Sequence, residues 1–72
     1  MPVRNLNDVF IDTFGNIWYI KKMPDSFGYY IMGEAYGLLP DRQLSVNTLE
    51  EFVKNGMLKF GWTAKDAKRW KS

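Results

Sequence analysis

Neither cysteine nor histidine occurs in this chain, and at 72 residues that double absence constrains the fold more than any motif does. No disulfide and no Cys/His zinc site can staple the chain, so packing alone must hold it together. A chain this short buries only about 60% of the surface its unfolded form exposes, which commits most apolar side chains to one core. Hydrophobic residues are 46% of the total and aromatic residues 17%, enough for a single small domain. The missing residue types are also the commonest general base, the usual metal ligand and the strongest nucleophile. The expectation is therefore a binding protein, not an enzyme, with no cofactor.

Charge is unevenly spread. Residues 63–72 carry Lys65, Lys68, Arg69 and Lys71 against Asp66, a balance of +3, whereas residues 1–62 carry six basic and seven acidic side chains, a balance of −1. This divides the chain into a nearly neutral body, 1–62, and a basic C-terminal appendage, 63–72. A duplex-binding domain shows a basic stripe across its body, and this one does not. No uninterrupted apolar run exceeds the four residues of Ile17 to Ile20, too short for a signal peptide or a membrane span. A cytoplasmic protein without membrane contact is expected.

Strand patterning dominates the first half. Val9, Phe10 and Ile11 form a short apolar run, and residues 17–23 are rich in β-branched and aromatic side chains. Gly15-Asn16 supplies the positive φ of a tight hairpin between them. Pro24 to Gly28 has turn chemistry throughout, and residues 29–32 make a third strand, giving a three-stranded meander. Gly33 suggests a bulge or bend where the sheet curls, residues 37–43 a loop with Leu38 and Leu39 tucked under it or exposed, and residues 44–46 a short edge strand.

Thr48-Leu49-Glu50-Glu51 fits a capping box that starts a helix of about two turns, with Leu49, Phe52 and Val53 on one face and Gly56 as its left-handed stop. Residues 57–62 alternate as a closing strand with Leu58, Phe60 and Trp62 on one face. Thr63 and Asp66 open a second, basic helix. So short a helix is marginal in water, and Trp70 would have to dock on the body or a partner to order it. The fold class expected is α+β, mostly β: a small curled antiparallel meander of three or four strands with a closing strand, or an SH3-like partly open barrel, with one short helix and the C-terminal basic helix. Phe10, Ile17, Ile31, Phe52, Val53 and Phe60 are its expected core.

Motifs for catalysis are absent. Asp8 and Asp12 stand near the first strand, but their spacing matches no calcium loop or magnesium site, and turn-capping is the expected role. The six glycines are scattered at turn-like positions, and none forms a phosphate-binding loop.

The aromatic residues are the unusual feature, because eight of the twelve fall between Phe10 and Tyr36. Side chains alternate along a strand, so Trp18 and Tyr19 cannot both face one core, and neither can Tyr29 and Tyr30. Aromatics displayed on a sheet make protein interfaces or stack on bases. Residues 26–31, Ser-Phe-Gly-Tyr-Tyr-Ile, resemble the Gly-aromatic strand motif of cold-shock and related single-strand-binding barrels. Residues 8–11, Asp-Val-Phe-Ile, are similar to that family's second aromatic motif, in reversed order and without its histidine. The resemblance covers about ten residues and implies a barrel that stacks bases on Trp18, Tyr30 and Phe27, with Lys21 and Lys22 at phosphates.

Two functions follow. The first is an interaction module, an adaptor or inhibitor of a size common in viral or mobile genomes, docking a protein through Trp18, Tyr30, Tyr36 and Phe27, with Leu38, Leu39 and Trp70 as further contacts. The alternative is a single-stranded or structured nucleic-acid binder using the same aromatics with Lys21, Lys22, Lys65, Lys68 and Arg69. Residues 44–46 and the strand after Gly56 are potential exposed edges, so the expected state is a monomer or weak homodimer.

Overall fold

The computed structural model describes residues 4–63. Five antiparallel strands and one helix follow one another as β1 (Val9–Asp12), β2 (Ile17–Lys22), β3 (Tyr29–Glu34), β4 (Arg42–Ser45), α1 (Val46–Lys54) and β5 (Leu58–Trp62). They make one sheet in the order β4-β3-β2-β1-β5. The mostly β expectation holds: the three-stranded meander, the short strand before the helix and the closing strand after it are all present. The two edges, β4 and β5, do not pair with each other, so the sheet is not closed. Both segments expected at sheet edges are there. The basic C-terminal helix, with Lys65, Lys68, Arg69 and Trp70, lies outside the described residues.

The turn chemistry explains the meander. Gly15, at φ 84°, and Gly28, at φ 77°, take the left-handed conformation that their hairpins require. Asp12 then completes the first turn by accepting from the backbone N–H groups of Phe14 and Asn16, at 2.9 and 2.8 Å. Gly33 does not bulge as expected: it stays in β3 opposite Tyr19, and a Cβ there would fall 2.8 Å from that ring. The missing side chain makes room for Tyr19. The register shift lies on the partner strand, where Ile20 pairs with Met32 and Lys22 with Ile31, leaving Lys21 as the extra residue. A second shift, between Val9 and Phe10, leaves Gly61 as the extra residue on β5.

Helix α1 starts three residues earlier than the expected capping box places it. Its cap is Ser45, whose Oγ accepts from the Thr48 N–H at 3.1 Å and donates to Thr48 Oγ1 at 2.8 Å. Thr48 remains at the N-terminus, but as a partner of the cap. Gly56, at φ 84°, stops the helix as expected, its N–H reaching the Val53 carbonyl.

One face of the sheet carries the core. Phe10, Trp18, Ile20, Tyr30, Met32, Leu44 and Leu58 pack with Leu49 of α1, and Val46, Phe52 and Val53 close against them. Alternation puts Ile17, Tyr19 and Ile31 on the opposite face, which corrects the core expectation for Ile17 and Ile31. Phe60 is 40% exposed, packing edge-on to Phe10 at 5.5 Å between ring centroids, and is a rim residue. Phe52 and Val53 are half-buried flanks, and only Phe10 of the expected core is fully enclosed.

Candidate functional site

The two ends of the core are finished differently. At one end the chain before β1 is tied to the helix, where Arg4 makes a bidentate pair with Glu50, Nε to Oε2 and Nη2 to Oε1, both at 2.9 Å. The same guanidinium carbon lies 5.3 Å from the Phe10 ring centroid and 5.8 Å from that of Phe60. Its hydrogen bonds to Glu50, acting against desolvation, raise its pKa above the ordinary arginine value. Burial, aided by the charge of Glu50, likewise raises the Tyr30 hydroxyl. This end is sealed.

The other end is open. The register brings together the β1–β2 turn, the loop leading into β4 and the start of β5, since Trp18 pairs with Glu34, Met32 with Arg42 and Asp12 with Leu58. Between these segments lies a groove of about 390 Å³. Its floor is core: Trp18, Met32, Leu44 and Leu58 are all buried and all line it. Its mouth is apolar and exposed, with Phe14 89%, Met57 49% and Leu39 40% accessible, and Phe52 forms the helix wall.

Polar order at the mouth is tight. Besides the two backbone groups, Asp12 accepts from Asn16 Nδ2 at 3.0 Å and from Trp18 Nε1 at 3.1 Å. Desolvation, the largest influence on this carboxyl, pushes its pKa up, but the bonds from Trp18, Asn16 and Phe14 together hold it below the ordinary value. Glu34 fixes the next loop by accepting from the N–H groups of Tyr36, at 3.0 Å, and Leu38, at 2.6 Å. The Tyr36 bond, opposed by desolvation and aided by Leu38 and Leu39, lowers its carboxyl. Arg42 stands with its guanidinium carbon 5.7 Å from the Trp18 ring centroid.

These positions revise the expected site. Trp18 and Tyr30 are 4% and 5% exposed, so neither is displayed on the sheet: both fall on the face that α1 covers. Trp18 still reaches the groove as its floor, whereas Tyr30 does not line it. Tyr36 and Leu38 are exposed on the loop between β3 and β4, at the open end, while Phe27 is exposed on the β2–β3 turn at the other end of β3. Lys21 pairs with Asp41 at 2.9 Å, and Lys22 is exposed. Asp8 and Asp12 flank β1 at opposite ends, and no group of three or more metal-ligating side chains occurs among the described residues. Asp12 caps its turn, as expected. Leu39, expected beside Leu38 as a contact, does line the groove, whereas sequence reasoning missed Asp12, Phe14, Arg42 and Met57 as groove residues. An Asp two residues before the Phe14-Gly15 turn signals the cap, but nothing local announces that three distant segments meet.

No helix among the described residues is long and apolar enough to cross a membrane. No family model matches the chain, and the searches of curated proteins and of solved structures found no match either.

Proposed function

We propose that the protein is a small non-enzymatic interaction module, an adaptor or inhibitor, that receives an apolar segment of a protein partner in the groove at the open end of its core. The observation that carries this reading is the groove itself. A cavity of about 390 Å³ lies within the size range of ligand sites, and exposed Phe14, Leu39 and Met57 flank a floor of buried side chains. An 8.5 kDa domain has little apolar surface to spare, and three large side chains left in water around one opening favour a contact surface. An SH3-like, partly open barrel is the architecture we propose for this role. Tyr36 and Leu38, on the adjoining loop, extend the contact.

The test is to pan displayed random peptides against the protein and against a Phe14→Ser/Met57→Ser variant. Peptides that bind the parent, lose at least tenfold in affinity on the variant and shift the Trp18 indole resonance support the groove; about 1.4 kcal/mol is one factor of ten. Peptides that bind both proteins equally place the site elsewhere. Salt-sensitive binding of single-stranded oligonucleotides, with no peptide selected, would replace the reading with the nucleic-acid one.

A further inference from the structure

The charges around the groove specify its occupant further, an inference that rests on reading the groove as a partner site. Among the described residues, two charged ones line it, Asp12 and Arg42. The Asp12 carboxylate is already occupied by donors from Phe14, Asn16 and Trp18. Glu34, at the start of the adjoining loop, is occupied by Tyr36 and Leu38. Asp41, the sequence neighbour of Arg42, pairs with Lys21.

Arg42 differs. Among the described residues it makes no ion pair with a carboxylate, and its guanidinium is held over the Trp18 ring. Trp18 is itself fixed, because its Nε1 donates to Asp12. The result is a cation positioned beside an apolar floor, next to carboxylates whose own hydrogen bonds are made within the turns. A guanidinium is suited to donate two parallel hydrogen bonds to a carboxylate.

We infer that the occupant is an extended segment of a protein partner in which a bulky aliphatic or methionine side chain stands next to a carboxylate. The apolar side chain enters over Met32, Leu44 and Leu58, and the carboxylate meets Arg42. A nucleic acid also offers anions, but stacking a base on the groove floor requires an open aromatic face there, and Arg42 lies over that of Trp18. Aliphatic and thioether side chains dominate the rest of the floor, which suits an apolar side chain.

The experiment compares two blocked dipeptides, acetyl-Leu-Glu-amide and acetyl-Leu-Gln-amide, by titration into isotopically labelled full-length protein, following the Trp18 indole N–H and the Met32 and Met57 methyl groups. A thymidine oligonucleotide is titrated in parallel. The Glu peptide is expected to bind about fivefold more tightly at low salt, with Arg42→Gln levelling the two and Arg42→Lys retaining part of the difference. Should Arg42→Gln disturb the fold, added salt applied to the parent protein supplies the second measurement, and it must shrink the difference. Equal affinities for the two peptides overturn the charge assignment and leave the groove standing. Failure of both peptides to move the groove signals overturns the groove as well. Stronger shifts of those signals by the oligonucleotide overturn the protein-partner assignment.

Discussion

The sealed and open ends of the core use similar residue types to different effect. At the sealed end Arg4 covers Phe10 and Phe60 and is anchored on Glu50, so cation, ring and carboxylate satisfy one another. At the open end Arg42 lies over Trp18, while Asp12 binds the ring nitrogen and the turn, leaving the guanidinium without a carboxylate among the described residues. The comparison teaches that an arginine on an aromatic ring is structural or available for binding according to where the nearest carboxylate is engaged. The first end should respond to mutation in stability and the second in binding.

The largest effect belongs beneath the helix. Leu49 is fully buried, and Leu49→Ala should cost about 3 kcal/mol by chemical denaturation, since a helix residue with no exposed surface leaves a cavity. A loss below about 1 kcal/mol would mean that α1 does not close the core as described. Next comes the clamp. Glu50→Ala leaves Arg4, whose side chain is 10% exposed, without its carboxylate, and a loss of about 1 to 2 kcal/mol is expected. A double-mutant cycle with Arg4→Ala should return a coupling of about 1 kcal/mol, and simple additivity would show that the strap contributes only by covering the rings.

Acid sharpens the contrast in the other direction. Asp12 and Glu34, both at the open end, have carboxyl groups held below their ordinary values by the turns they cap. The unfolded chain therefore binds protons first: their contribution is present above an unfolded carboxyl pKa of about 4 and is lost as pH falls through the lower folded values. The midpoint of urea unfolding should decline over that interval, and Asp12→Asn should make the decline shallower. An unchanged slope would separate the Asp12 turn from the stability of the domain. The smallest effect is expected at the mouth of the groove. Phe14→Ser and Met57→Ser should each change stability by no more than about 0.5 kcal/mol, because both side chains already stand in water. A larger loss would reclassify the mouth as part of the core and weaken its reading as a contact surface.

Local chemistry was legible wherever it acts between near neighbours. The absence of cysteine and histidine, the glycine turns at 15 and 28, the helix stop at Gly56 and the rule that Trp18 and Tyr19 point to opposite faces could all be read directly. Each depends on backbone geometry over a few residues. The helix start was less legible, because Ser45 and Thr48 are both good caps and the choice of Ser45 goes with β4 ending at that residue. Which of two alternating aromatics lies inside was not legible at all. Periodicity gives two faces without saying which one the helix will cover, and α1 covers the face of Trp18 and Tyr30.

The sequence by itself determined a small, unstapled, mostly β chain with turns at defined positions, because composition and short-range sterics do not depend on where distant segments go. The tertiary structure decided the groove. It forms because β5 returns beside β1, which brings Leu58 opposite Asp12, while the meander carries Arg42 to Met32 and its guanidinium to Trp18. Those contacts join residues far apart in the chain, and only sheet order and register bring them into reach.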